Sequence, residues 1–309
     1  MKVVVSSISF SKNKKLVSEL KSVFPDSIIN KSGVRYVGKD LINYFSGADV
    51  VIMGVEKVDE KLLNSLPNLR FISKYGVGLD NIDLKACKKH NVHIGWTGGV
   101  NKTSVAEMTI GFMLMLVRNL YITSNQLKYD SVWNKNGGFQ LTNKTIGIIG
   151  LGHIGKELVR LLKNFNCKII ANDIEDLKYF ANQHNIDLVD KNTLLKKSDI
   201  VTIHTPLTEK TLGMIDIHAF KKMKKESFLI NTARGGIVDE TALETALKQK
   251  YISGAALDVY EEEPAHKRSL LKLHNLICTP HTAGNSIEAV ISMGMSAINH
   301  LINFKNIKT

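Results

Sequence analysis

Three short segments carry side chains that together could move a hydride and a proton. Asn231-Thr-Ala-Arg-Gly-Gly236 holds Arg234, Asp258-Val-Tyr-Glu-Glu-Glu-Pro264 holds a run of carboxylates, and Thr279-Pro-His-Thr-Ala-Gly284 holds His281. Each follows a β-rich run (Ser227–Asn231, Gly254–Leu257 and Leu276–Cys278), and open α/β sheets bind ligands just beyond the carboxyl ends of their strands. A guanidinium offers a fork of donors to a carboxylate. An imidazole titrates near neutral pH and can exchange a hydroxyl proton, and a carboxylate beside it orients the ring and raises its pKa. Hydride transfer at a hydroxy acid requires this set. Spacing alone does not separate the three from ordinary surface residues.

A second constellation says dinucleotide. Thr145-Ile-Gly-Ile-Ile149 reads as a buried strand that breaks into Gly150-Leu-Gly-His-Ile-Gly155 and opens a helix with apolar positions at Leu158, Leu161 and Leu162. In such a turn Gly150 allows the tight bend, Gly152 lets the backbone approach a pyrophosphate, and Gly155 lets helix and strand pack closely. The helix start, with His153 as a loop filler and Ile154 beside it, offers N–H groups and partial positive charge to the phosphates. The next strand, Cys167–Asp173, ends in an acid about 20 residues beyond the glycines. Asp173 can accept both ribose hydroxyls and would repel a 2′-phosphate, and no Arg follows it, so the coenzyme expected is NAD rather than NADP.

The elements that must position these groups follow from periodicity. Short β-rich runs at Val3–Ser6, Val50–Met53, Phe71–Ser73 and Val92–Trp96 alternate with helical patterns at Lys14–Phe24, Asp59–Leu66 and Asp83–His90, which makes a small parallel α/β domain. Ser104 with Glu107 reads as a capping box for a long apolar helix to about Asn119. That helix should cross to a second domain, and its face of Met108, Phe112, Met113, Met115 and Leu116 suits an interdomain core or a dimer interface. A polar segment, residues 131–138, leads to the glycine turn. Strands at Ile200–His204, Ser227–Asn231, Gly254–Leu257 and Leu276–Cys278 then complete a doubly wound sheet. A last helix, capped by Asn285 with Glu288 three residues on, is expected to fold back onto the first domain. The fold class expected is α/β with two doubly wound parallel-sheet domains and a cleft between them: residues 1–100 plus 283–309, and residues 101–282.

Composition sets the outer bounds. At 309 residues the chain exceeds the roughly 250–300 beyond which a single core stops growing. Its apolar share of 44% and charged share of 23% are those of a soluble globular protein. The N-terminus reads as a first strand rather than a signal peptide, and the apolar stretch Met108–Val117 is short for a membrane span, so a cytoplasmic protein without membrane contact is expected. Cys87, Cys167 and Cys278 are widely separated and form no CxxC pair, against a disulfide framework or a zinc site. The net charge of +12 comes from scattered lysines without aromatic interleaving, which favours attraction of an anionic substrate over nucleic acid.

Taken in order, Gly150-x-Gly-x-x-Gly155, His204-Thr-Pro-Leu-Thr208, Asn231-Thr-Ala-Arg-Gly, Asp258-Val-Tyr-Glu-Glu-Glu-Pro and Thr279-Pro-His resemble the signatures of the NAD-dependent D-isomer-specific 2-hydroxyacid dehydrogenases. Upstream, Tyr75-Gly-Val-Gly-Leu-Asp-Asn-Ile-Asp83 and Ser104-Val-Ala-Glu107 resemble that family's substrate loop and crossover helix, so the likeness spans nearly the whole chain. The resemblance implies a flavodoxin-like substrate domain and a Rossmann coenzyme domain. It implies that Arg234 binds the substrate carboxylate and carbonyl, that His281 is the general acid/base and that Glu263 is its partner. Asp258 would contact the nicotinamide carboxamide. His204, Thr205, Pro206, Thr232 and Ala233 would line the coenzyme, and the N–H groups of Val77 and Gly78, with Lys74 beside them, would receive the substrate carboxylate.

Within the family, Glu263 speaks against formate dehydrogenases, which carry Gln there, and Val77 against phosphite dehydrogenases, which carry Lys. The expected reaction is hydride transfer between NAD(H) and a D-2-hydroxy acid or 2-oxo acid, with a 3-phosphoglycerate-like substrate among the candidates and a homodimer as the assembly. The alternative is an NAD(H)-sensing co-repressor or interaction protein on the same fold.

Overall fold

A computed structural model describes residues 1–307. The chain forms two compact units, one of Met1–Asn101 with Asn285–Thr309 and the other of Lys102–Gly284. Each is a wholly parallel sheet with helices on its faces, so its strands are buried on both sides and read as near-continuous apolar runs.

The first unit holds β1 (Val3–Val5), β2 (Ile28–Ile29), β3 (Val50–Met53), β4 (Phe71–Lys74) and β5 (His93–Gly95), in the order β2-β1-β3-β4-β5. This is the flavodoxin-like order. One face packs Val4, Val51 and Ile72 against Leu41, Leu62 and Cys87, and the other packs Val3, Val5 and Ile52 against Leu16, Leu20, Ala297 and Leu301. The last helix, Ile287–Ile307, therefore belongs to the core of this unit. Its cap is Ser286, whose Oγ accepts from Ala289 N at 3.2 Å, one residue beyond the expected Asn285.

The second unit holds β6 (Thr145–Ile149), β7 (Lys168–Asn172), β8 (Asp187–Leu188), β9 (Ile200–Ile203), β10 (Phe228–Asn231), β11 (Gly254–Leu257) and β12 (Leu276–Cys278). The order is β8-β7-β6-β9-β10-β11-β12, the doubly wound order that reverses direction between β6 and β9. The helix Lys102–Val117 packs Phe112, Met113 and Leu116 against Ile146, Ile148 and Leu158, with Met108 and Met115 at the margin of that core. It starts two residues before Ser104, so Ser104 is not its cap. The Ser104 hydroxyl instead donates to Ala283 O at 2.6 Å, and thereby anchors the end of the His281 segment. The helix stops at Asn119, which adopts a left-handed φ of 51°, and a second helix, Leu120–Asp130, follows.

Candidate active site

All of the chemistry-bearing segments of the second unit leave the carboxyl ends of its strands. Gly150 follows β6, Asp173 follows β7, His204 follows β9, Thr232–Arg234 follow β10, Asp258 follows β11 and Thr279–His281 follow β12. The reversal of strand order between β6 and β9 opens a crevice there for a ligand.

The glycine turn is shaped as its sequence requires. Gly150 has φ +97°, and a Cβ on it would lie 2.7 Å from the His204 carbonyl. A Cβ on Gly155 would lie 2.2 Å from the Gly150 carbonyl, so only glycine lets the helix start sit this close to the strand end. Around Gly152, by contrast, a Cβ would meet nothing, and the helix His153–Leu162 starts without a side-chain cap. Its first N–H groups are thus presented to whatever occupies that space. Asp173 Oδ2 accepts from Leu151 N at 2.6 Å, which binds the acid to the glycine turn. Ile174 beside it is 96% exposed, and the next residues, Glu175 and Asp176, repel a phosphate.

On the other side of the crevice, His204 Nε2 lies 2.9 Å from Thr202 Oγ1, and burial pushes the ring pKa down to about 3, so it is neutral in water of ordinary pH. His204 Nδ1 and Thr205 Oγ1 are buried without a hydrogen-bond partner among the described residues. Unpaired buried polar atoms are costly, and polar ligand atoms would satisfy them. An open glycine cradle, uncapped helix N–H groups, an acid at the end of the next strand and orphaned polar atoms together fit a dinucleotide.

The remaining loops bring a histidine and a carboxylate together. His281 Nδ1 lies 2.8 Å from Glu263 Oε2, and both side chains are partly exposed, at 45% and 38%. The hydrogen bond that Glu263 accepts from the ring holds the imidazole above its ordinary pKa against the opposing effect of burial. Burial works against ionisation of Glu263, yet His281, the Tyr260 amide and the Arg234 charge together keep its carboxyl below the usual range. Arg234 also opposes the charge on His281, so the guanidinium is within electrostatic reach of both partners. Its own segment is wound by Asn231, whose Oδ1 accepts from Ala233 N at 3.1 Å while Nδ2 donates to Arg234 O at 2.9 Å. Thr232, in the same turn, is buried with its hydroxyl 3.2 Å from Thr109 Oγ1.

Asp258 is fully buried, and its carboxylate accepts from Thr279 Oγ1 at 2.6 Å, Thr282 N at 2.8 Å and Ala283 N at 2.9 Å. The acid that the motif points toward the coenzyme is thus also the organiser of the His281 turn. The sequence pattern carried no sign of this second role, because the partners are mostly backbone amides.

In the first unit, β4 ends in Lys74, and Gly76 turns the chain with φ +122° into Val77 and Gly78. Lys74 is buried; its Nζ donates to the Gly54 carbonyl and to Asn81 Oδ1, and so fastens this loop to the end of β3. Asn81 Nδ2 donates in turn to the Gly54 and Glu56 carbonyls, and Trp96 Nε1 donates to Val77 O at 2.9 Å.

Comparison with known proteins agrees with this geometry. Residues 110–283 match the D-isomer specific 2-hydroxyacid dehydrogenase, NAD binding domain family. A glyoxylate reductase of Thermofilum pendens is 41% identical over 256 residues, covering 80% of this chain and 75% of that protein. The chain belongs to the D-isomer-specific 2-hydroxyacid dehydrogenases. A D-3-phosphoglycerate dehydrogenase of Archaeoglobus fulgidus is 38% identical over 82% of this dehydrogenase, which spans 49% of the longer relative. The solved structure of D-lactate dehydrogenase from Aquifex aeolicus, complexed with NAD and lactic acid, superposes with a TM-score of 0.85 at 27% identity and covers 99% of this chain and 96% of that one. The dehydrogenase is NAD-dependent, and the co-repressor alternative is not favoured.

Proposed function

We propose that this dehydrogenase reduces a short, unphosphorylated 2-oxo acid of the glyoxylate or hydroxypyruvate kind to the D-2-hydroxy acid, with Arg234, Glu263 and His281 as its catalytic set. The observation that carries the catalytic assignment is the 2.8 Å contact between His281 Nδ1 and Glu263 Oε2 at the carboxyl ends of the parallel strands. Bound NADH supplies the hydride. His281, kept protonated by Glu263, donates the proton to the carbonyl oxygen, and in the reverse direction the neutral ring removes it from the hydroxyl. Arg234 holds the carboxylate and stabilises the charge that develops on the carbonyl oxygen. Gly150, Gly152, His153, Ile154 and Gly155 would hold the pyrophosphate, Asp173 the ribose, and His204, Thr205, Pro206, Thr232, Ala233 and Asp258 the remainder of the coenzyme.

The substrate reading rests on the first unit. The Val77 and Gly78 amides would receive the carboxylate, while Lys74 acts through the loop it fastens. Arg35, at the same edge, donates to the Val55 carbonyl. The cations there are thus bonded to the chain itself, which favours an acid without a phosphate. Following NADH absorbance with glyoxylate, hydroxypyruvate and 3-phosphohydroxypyruvate tests this. A kcat/KM highest for the phosphorylated acid would reverse the substrate choice, and no turnover on any 2-oxo acid would remove the reductase reading.

A homodimer is the assembly that the second unit favours. Leu120, Leu127, Tyr129, Val132, Trp133 and Phe139 each expose between 46% and 75% of their surface along the helix Leu120–Asp130 and the segment after it. Exposed apolar surface gathered in this way marks an interaction site, and a second copy, burying the same patch twice, closes it by symmetry. Light scattering should give twice 34.4 kDa, and Trp133→Glu should shift the protein to the monomer; a wild-type monomer would contradict it. No single helix among the described residues is long and apolar enough to cross a membrane, and we place the enzyme in the cytoplasm, where fractionation of the host cell would find it.

A further inference from the structure

Outside the reacting set, Glu240 is a buried carboxylate whose burial lacks a local reason. It opens the helix Glu240–Lys248, yet the cap of that helix is Asp239, whose Oδ1 accepts from Thr241 N at 2.8 Å and Ala242 N at 2.9 Å. Glu240 is 7% exposed. Burying a carboxylate is costly unless it accepts strong hydrogen bonds. The bond it accepts comes from 21 residues away: Glu261 N donates to Glu240 Oε1 at 2.8 Å, and Glu240 N donates back to Glu261 Oε1 at 2.9 Å. Two carboxylates and two amides thus lock the start of a helix to the loop between β11 and β12.

That loop carries the partner of the general acid. Glu263 lies two residues beyond the lock, with Oε1 accepting from Tyr260 N at 3.2 Å and Oε2 on His281. The lock fixes the peptide between Tyr260 and Glu261, and the same stretch of backbone supports the arginine turn. A Cβ on Gly235 would lie 1.7 Å from the Tyr260 carbonyl, so Arg234 is followed at once by a residue pressed onto it. One short stretch of backbone therefore sets the places of Arg234, Glu263 and, through Glu263, His281.

We propose that Glu240 is a positioning residue for the Glu263–His281 pair, acting through the Glu261 amide. The inference rests on the reading of His281 as the acid/base. Misplacement of a reacting group by about 1 Å can cost roughly 100-fold in rate, and a loop freed at Glu261 would loosen the contact that keeps His281 charged. Burial opposes the ionisation of Glu240 most and the Glu261 carboxylate adds to that, while the Glu261 amide, Lys267 and His266 favour it. Tyr260 and Cys278 feel its charge as well.

The test uses NADH-driven reduction of the best oxo acid, measured across about pH 5 to 9 for wild type, Glu240→Ala, Glu240→Gln, Glu261→Ala and, as a control, His281→Ala. Glu240→Ala should lower kcat about 10- to 100-fold with little change in KM or NADH affinity, and should move the alkaline limb of the rate profile to lower pH. Glu240→Gln keeps an oxygen that can accept the Glu261 amide and should restore most of the rate and the position of the limb. Glu261→Ala removes only the exposed half of the lock and should shift the limb less, in the same direction. A folded Glu240→Ala enzyme with the wild-type limb overturns the proposal, since a merely structural residue would lower the melting temperature and leave the limb in place. If Glu240→Ala does not fold, an unmoved limb in Glu261→Ala overturns it. Turnover retained by His281→Ala would remove the acid/base reading and this inference with it, whereas an inactive His281→Ala beside unmoved limbs would remove this inference alone.

Discussion

The Asp258 carbonyl accepts the backbone N–H of His281 at 2.8 Å, while its carboxylate gathers Thr279, Thr282 and Ala283 on either side of that residue. His281 itself sits at φ +53°, a left-handed conformation that a non-glycine residue adopts only when its surroundings impose it. The turn that presents His281 is thus held by an acid one strand away. Asp258→Asn would set an amide N–H₂ against amides that need an acceptor. A hydrogen bond to a charged group contributes about 1.5–3 kcal/mol, so kcat/KM for the oxo acid should fall roughly 10- to 100-fold, with a lower melting temperature. Steady-state kinetics beside a thermal melt check this; an unchanged kcat/KM would mean that His281 does not depend on the turn.

The pH dependence follows from the Glu263–His281 pair. Its apparent pKa values belong to the two groups jointly, with the imidazole raised above 6.5 and the carboxyl lowered below 4.5. Reduction needs the protonated ring, so it should hold up to the raised pKa and fall as pH rises through it. Oxidation of the hydroxy acid needs the neutral ring and should rise over the same range. Glu263→Gln removes the anion that holds the proton, and the reductive limb should move to lower pH. Rate profiles in both directions decide it, and a limb unmoved in Glu263→Gln would separate the two residues.

On the proposed reading, coenzyme choice rests on Asp173 and the exposed Ile174. Asp173→Ser should lower kcat/KM for NADH, and adding Ile174→Arg should bring in use of NADPH by giving a 2′-phosphate a cation instead of a repelling acid. Kinetics with the two coenzymes measure the switch. A double variant as selective for NADH as the wild type would locate the discrimination elsewhere.

Two glycines are sites of close approach rather than of flexibility. Gly155→Ala would place a methyl against the Gly150 carbonyl and Gly235→Ala one against the Tyr260 carbonyl. Overpacking of this kind costs about 1–3 kcal/mol. Both variants should melt at lower temperature, Gly155→Ala also with weaker NADH binding and Gly235→Ala with lower kcat. Gly152→Ala, whose methyl meets nothing among the described residues, should leave stability nearly unchanged while weakening NADH binding.

Much of this could be read from the sequence because parallel strands buried on both faces leave continuous apolar runs, and because the groups at their ends must follow them directly in the chain. Gly150, Asp173, Arg234 and His281 could be named for that reason, whereas Glu263 is singled out from three consecutive glutamates only by the family resemblance. The two-residue strands β2 and β8 were not visible: they are short edge strands, Asp187 and Leu188 are exposed, and neither leaves a pattern. Ser104 reads as a cap from its spacing to Glu107, yet its hydroxyl serves a carbonyl 179 residues away. The Glu240–Glu261 lock and the grip of Asp258 on the His281 turn were hidden for a similar reason, since backbone amides have no letter in a sequence.

The most direct test of the central claim is NADH oxidation by wild type and His281→Ala with glyoxylate or hydroxypyruvate, beside fluorescence titration of NADH binding. The account predicts turnover by the wild type, a loss of at least about 100-fold in kcat for the variant, and the same NADH affinity in both. Comparable kcat in the two proteins would contradict the assignment of His281 as the general acid.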